Sequence, residues 1–205
     1  MSANFYDLGD GRYVGINTKV ASSSLATAIL ETHYPDAAAV LHERQGGAWP
    51  LARNRLQVHG CVPKTHTPDG PVYLLVREPV SRFLSACAFL NCEPADLIDA
   101  YFAPTQKSAI SKGFVPVNPK TDIHFRKQVD MLVGPQTFCY RLESHMAEFV
   151  ADTGLVLPSV NVTKREKAVL SAEEREKVCE WFSDDIKLYE FVDAPGKEVS
   201  TWQPN

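Results

Sequence analysis

Apolar and polar positions along the chain follow two rhythms, one suited to buried strands and one to amphipathic helices. Residues 12–17 (RYVGIN) form a short apolar run that predicts a strand, followed by a polar loop over 18–21. Residues 22–34 carry Leu25, Ile29 and Leu30 on one side of a helix, with Ser22 or Ser23 available as N-cap. Residues 54–59 (NRLQVH) give a second strand. Val72–Val76 (VYLLV) is the clearest strand, a continuous apolar run of the kind buried on both faces of a parallel sheet. Pro79 stands where a first helical turn tolerates proline, and Val80, Phe83, Leu84, Cys87 and Leu90 continue at helical spacing.

The second half of the chain reads as more helical. Pro94–Phe102 is a short helix, whereas 103–121, with Pro104, Pro116, Pro119 and Gly113, reads as a surface loop or lid. Residues 122–132 predict a helix, 137–142 a strand and 143–152 another helix. Ser171 and Glu174 form a capping-box pattern ahead of Val178, Trp181 and Phe182. A last helix runs through Ile186, Leu188 and Phe191, and 193–205 reads as an irregular tail. Strands alternating with helices predict a three-layer α/β fold with a central, mostly parallel sheet and a helical C-terminal half. A single domain over 1–205 accounts for the whole pattern.

Composition narrows the partners. With 44% hydrophobic and 22% charged residues the chain is of the globular type, and its net charge of −4 argues against nucleic acid or an anionic membrane as partner. Any anion site must be a local basic pocket. No apolar run approaches the roughly 20 residues of a bilayer span, and residues 1–11 lack the apolar stretch of a secretory signal. Five scattered cysteines (Cys61, Cys87, Cys92, Cys139, Cys179) without a Cys-x-x-Cys pair suit reduced thiols in a cytoplasm better than a disulfide framework or zinc site. No carboxylate or His/Cys cluster calls for a metal.

Two segments carry chemistry. Asn17-Thr-Lys-Val-Ala-Ser-Ser-Ser-Leu25 lies between a strand and a helix, where backbone N–H groups and the helix dipole make an anion site. Lys19 adds a charge, Ala21 permits close approach, and Ser22, Ser23 and Ser24 add hydroxyls; a serine-rich helix cap beside a solvated lysine is the bland alternative. The Gly-x-x-x-x-Gly-Lys-Ser/Thr pattern is missing. Arg77-Glu-Pro-Val-Ser-Arg-Phe-Leu-Ser85 follows the most buried strand, so Arg77 and Ser85 face the crevice where α/β sheets bind ligands. A surface ion pair with Glu78 or another carboxylate is the bland alternative for Arg77. Two anion-binding strand ends suggest one ligand with two separated phosphates.

Together these segments resemble the sulfotransferases that use 3′-phosphoadenosine 5′-phosphosulfate (PAPS). Lys19-Val-Ala-Ser-Ser-Ser24 is similar to their 5′-phosphosulfate loop, closest to the Lys-x-Ala-Ser-Thr-Ser form of the heparan sulfate 2-O-sulfotransferases. Arg77-Glu-Pro-x-x-Arg-Phe-x-Ser85 is similar to the 3′-phosphate motif, with Glu78 in place of the commoner aspartate. Asp122-Ile-His-Phe-Arg-Lys-Gln128 and Tyr140-Arg-Leu-Glu143 resemble later segments of the carbohydrate enzymes, and Asn161-Val-Thr-Lys164 the region that closes over the nucleotide. The resemblance implies a three-layer P-loop-like fold, PAPS as cofactor with adenosine 3′,5′-bisphosphate as product, and a carbohydrate or small-molecule hydroxyl as acceptor. It implies cofactor contacts from Lys19, Ala21, Ser22, Ser23, Ser24, Arg77, Ser85 and Lys164, with Lys19 also stabilising the leaving phosphate. Alternatives are a small-molecule kinase and an inactive nucleotide-binding protein of the same fold.

Sulfuryl transfer needs a base for the acceptor hydroxyl, and histidine suits that role near neutrality. His66 lies in Lys64-Thr-His-Thr-Pro68, which is similar to the Lys-Thr-His-Leu-Pro of cytosolic sulfotransferases. Topology instead favours His59, because residues 60–71 leave the dozen or so residues that a parallel crossover needs. His59 stands first and His66 second. His124 and Gln128, one helical turn apart, are expected to share a face near the acceptor.

Overall fold

The structure is a computed structural model, and it describes residues 5–36, 38–39, 68–105, 107–111, 115–132, 136–158, 168–199 and 202–203. The chain enters through β1 (Phe5–Asp7), β2 (Tyr13–Gly15), α1 (Ser22–His33), β3 (Val72–Val76), α2 (Pro79–Leu90) and α3 (Pro94–Phe102). It continues through β4 (Ala109–Ile110), β5 (Pro116–Val117), two 3-10 turns (Ile123–Phe125 and Gln128–Met131) and β6 (Thr137–Arg141). The remaining elements are α4 (Met146–Thr153), α5 (Ala172–Trp181), α6 (Ser183–Phe191) and β7 (Lys197–Glu198). The fold is α/β, around a five-stranded sheet of order β1-β2-β3-β6-β7.

That sheet is mixed, which corrects the mostly parallel arrangement expected from sequence. β2, β3 and β6 are parallel neighbours, while β1 and β7 run antiparallel along the two edges. The β1–β2 connection is too short for a parallel crossover. Leu8 N–H donates to the Arg12 carbonyl at 2.9 Å, and Gly9 (φ 88°) and Gly11 (φ 82°) supply the left-handed turn.

Both faces of the sheet are covered. On one, Val14, Leu75 and Tyr140 meet Leu25, Ile29 and Leu30 of α1 and Phe149 of α4. On the other, Val72, Leu74, Val76 and Cys139 meet Leu188 of α6, Val192 and Met131. The period-two alternation of β3 thus feeds two cores. Leu25, Ile29 and Leu30 are wholly buried, and each such side chain contributes about 1.5–3 kcal/mol. A third cluster gathers α2, α3 and α5 around Phe83, Phe125, Trp181 and Phe182.

Three other expectations change. Residues 103–121 contain an antiparallel pair, Ala109 opposite Val117, because both side chains are buried in the third cluster. The tail expected to be irregular over 193–205 contains β7, which adds to β6. Residues 122–132 are two 3-10 turns and no α-helix, because their backbone groups have tertiary partners. Arg82 donates to the carbonyls of His124 and Arg126, and Val129 N–H donates to Asp185 Oδ1 at 3.1 Å. In an α-helix those carbonyls would face the amides four residues on. Among the described residues no helix is long and apolar enough to cross a membrane.

Candidate anion site at the sheet edge

Parallel β2, β3 and β6 deliver three segments to one edge: the loop after Gly15, Arg77, and Glu143 just past β6. In the loop, Val20 is completely buried in the core under α1. Its neighbours Lys19 (φ 63°) and Ala21 (φ 51°) both occupy the left-handed region, a costly conformation for residues with a Cβ. The result is a tight bend with Val20 inside and the Lys19 side chain half-buried at the edge.

Ala21, and not Ser22 or Ser23, is the N-cap of α1, which corrects the expected cap. Among the described residues no side chain caps this helix, and its first turn holds no acidic residue, so its positive dipole end faces the loop. Ser22 and Ser23 are half-buried and Ser24 is buried within that first turn.

Arg77 is held by both its backbone and its head group. Its N–H donates to Gln128 Oε1 at 2.8 Å, and its carbonyl accepts from Gln128 Nε2 at 2.9 Å. Its guanidinium Nη1 donates to the Lys19 carbonyl at 3.1 Å, and Nε lies 3.8 Å from Glu143 Oε1. Glu78 instead caps α2, accepting from Val80 N–H at 3.1 Å and Ser81 N–H at 2.6 Å. Burial lowers the pKa of Arg77 against the opposing pull of Glu143 and Glu78. Burial, reinforced by Arg77, lowers Lys19 from 10.5 to about 8. Two cations thus share a corner where burial already works against charge, an arrangement suited to an anionic ligand.

The corner extends to the first 3-10 turn. Lys19 Nζ sits 3.8 Å from the centroid of the Phe89 ring, and the His124 ring lies 4.9 Å from the same centroid. Thr18 Oγ1 donates to the Ile123 carbonyl at 2.5 Å, tying loop and turn together. His124 Nδ1 and its backbone N–H meet the same atom, Asp122 Oδ1, at 2.7 and 2.8 Å. Burial would raise Asp122, but the His124 hydrogen bonds outweigh it and leave the carboxyl below its ordinary pKa. Ser85 is half-buried on α2, one turn before Phe89 and therefore on its stripe.

The structure thus joins Lys19, Ala21, Ser22, Ser23 and Arg77 at one edge and brings His124 beside them. It separates His124 from Gln128, correcting the shared helical face: Gln128 is 1% exposed and spends its amide on the Arg77 backbone. It is a clamp on the Arg77 backbone. His59, His66 and Lys164 lie outside the described residues, as do 54–59, and both ladders of β3 are filled, by β2 and β6.

Sequence inspection overlooked Phe89, Asp122, Arg82 and Glu143. Asp122-x-His124 is legible as a carboxylate two residues before an imidazole, and Phe89 follows Ser85 by one helical turn. Arg82 is the buried fulcrum behind the turn, paired with Asp185 at 3.5 Å. Asp122 also lines a cavity of about 590 Å³, whose walls include Tyr101, Trp181, Lys120, Arg126 and Lys127. Tyr101 and Trp181 stack there at 3.9 Å.

Comparison of the chain with protein-family models, curated proteins and solved structures returns no match.

Proposed function

We propose that this protein is a sulfotransferase that moves the sulfuryl group of PAPS to an acceptor hydroxyl, on a P-loop-like variant of the α/β fold. The observation that carries this reading is the meeting of Lys19 and Arg77 at one sheet edge, where Arg77 donates to the Lys19 carbonyl beside an uncapped helix N-terminus. A nucleotide with phosphates at both 5′ and 3′ positions matches two cations supplied by two adjacent parallel strands. In this reading the Lys19 loop with Ser22, Ser23 and Ser24 takes the 5′-phosphosulfate, and Arg77 with Ser85 takes the 3′-phosphate. Lys164 covers the nucleotide, and Lys19 offsets the charge that builds on the leaving oxygen. For the base, topology points first to His59 and the sequence resemblance second to His66, as alternatives.

The cavity beside Asp122 supports a sugar acceptor, since it combines the Tyr101 ring with polar side chains of both signs, Lys120, Arg126, Lys127, Asp122 and Asp130.

Calorimetry with three nucleotides tests the proposal. Adenosine 3′,5′-bisphosphate is expected to bind more tightly than AMP by about 2–3 kcal/mol, the worth of a charge-assisted contact to a buried arginine. Arg77→Ala should erase that difference. Equal affinity for the two nucleotides in the wild-type protein, or preferential binding of ATP with magnesium, overturns it.

A further inference from the structure

We infer that His124, oriented by Asp122, is the general base of this site in place of His59 or His66; the inference rests on the sulfuryl-transfer reading. The two residues form an ordered dyad. Asp122 Oδ1 is 2.7 Å from His124 Nδ1 and also accepts the His124 backbone N–H at 2.8 Å. A carboxylate can only accept, so Nδ1 carries a hydrogen, and in the neutral ring the lone pair lies on Nε2. Among the described residues Nε2 has no hydrogen-bond partner, and the side chain is 20% exposed. A carboxylate that fixes the tautomer of a partly exposed imidazole is the arrangement by which a base is oriented.

Position supplies the second half of the case. Phe89 contacts both Lys19 Nζ and the His124 ring, and Thr18 bonds the carbonyl preceding His124. The imidazole therefore stands beside the lysine assigned to the leaving oxygen. The turn that carries it is braced from behind by Arg82, which donates to the carbonyls of His124 and Arg126. Asp122, though not His124, also lines the cavity assigned to the acceptor, so the dyad stands between that cavity and the Lys19 corner.

In the step itself, the acceptor oxygen forms the new S–O bond while its proton passes to His124 Nε2. The bond from sulfur to the 5′-phosphate oxygen breaks, and its electron pair stays on that phosphate. Adenosine 3′,5′-bisphosphate leaves, and the imidazolium returns its proton to water. Asp122 is the positioning residue.

The test uses the full chain, labelled PAPS, and two acceptors, water and a desulfated glycosaminoglycan. His124→Gln is expected to lower sulfate release or transfer by about 10²–10⁴-fold, with affinity for adenosine 3′,5′-bisphosphate unchanged. Long-range ¹H–¹⁵N spectra of histidine-labelled protein should show His124 as the Nδ1–H tautomer, with its ring signals moving when adenosine 3′,5′-bisphosphate binds. Asp122→Asn should mix the tautomers while leaving nucleotide affinity intact. Wild-type turnover in His124→Gln, an Nε2–H tautomer, or ring signals indifferent to bound nucleotide overturns the role of His124. Failure of the wild-type protein to bind the nucleotide at all overturns the sulfuryl-transfer reading instead, and this role with it.

Discussion

The guanidinium of Arg77 donates to the backbone carbonyl of Lys19 at 3.1 Å, across 58 residues of sequence. The bond orients Arg77 along the loop, and among the described residues the Lys19 ammonium pairs with no carboxylate and faces the Phe89 ring instead. Like charges are held together here by a neutral group between them, which is costly unless an anion arrives.

That cost makes ligand binding visible as proton uptake. Burial first, and Arg77 second, bring Lys19 down to about 8. An anion bound at the corner should restore the ordinary pKa, so at pH 8 binding should take up about half a proton. Without ligand, the unfolded chain holds the Lys19 proton more tightly than the folded one. Stability should therefore rise with pH from about 8 towards 10.5 as the folded state sheds its unfavourable charge. Calorimetry of adenosine 3′,5′-bisphosphate binding in two buffers of different ionisation enthalpy measures the uptake. Lys19→Met should abolish it.

Gln128 should matter to stability through Arg77. Its side chain pairs both the N–H and the carbonyl of Arg77, so Gln128→Leu leaves two polar backbone groups unpaired in a buried place. A loss of about 1–3 kcal/mol is expected for each group left unpaired, read as a lower denaturation midpoint. A midpoint unchanged from wild type would show that the clamp is dispensable.

The Arg82–Asp185 pair is almost wholly buried, with side-chain exposures of 1% and 0%. Asp185→Asn keeps the shape and removes the counter-charge, and should cost about 3–5 kcal/mol. The double variant Arg82→Met/Asp185→Leu should recover only part of that loss in thermal unfolding, because it removes both buried charges but leaves the His124 and Arg126 carbonyls and the Val129 N–H unpaired.

Ala21 offers the opposite sign. Its φ of 51° lies where a Cβ crowds the following carbonyl, so Ala21→Gly should remove about 1 kcal/mol of strain. Part of this is offset by the greater freedom of glycine in the unfolded chain. A thermal midpoint at or slightly above wild type is expected, whereas a clear fall would show that the methyl group is used in packing.

How much of this was legible before the structure depends on element length. Val72–Val76, Ser22–His33 and Pro79–Leu90 repeat their pattern long enough to declare themselves. Phe5–Asp7 and Lys197–Glu198 are edge strands of three and two residues, too short for any periodicity, and they exist because neighbouring strands offer open ladders. Ile123, Phe125, Val129 and Met131 imitate a helix, but Arg82 and Asp185 draw off the backbone groups a helix would need. The two cations of the site were legible because Arg77 directly follows a strand and Lys19 lies in the loop between a strand and a helix. Phe89 and the Asp122–His124 dyad were not, since their meaning arises only when distant segments meet.

Arg82 gives the site a history as well as a shape. During synthesis the residue emerges 103 positions before Asp185, a delay of roughly 5–20 s at ordinary elongation rates. For that interval its guanidinium lacks the buried counter-ion that lets it sit in the core, and the His124 turn lacks a settled brace. The brace behind the His124 turn is therefore not complete until late in synthesis. Its completion waits for α6, an element that contributes no side chain to the Lys19–Arg77 contact.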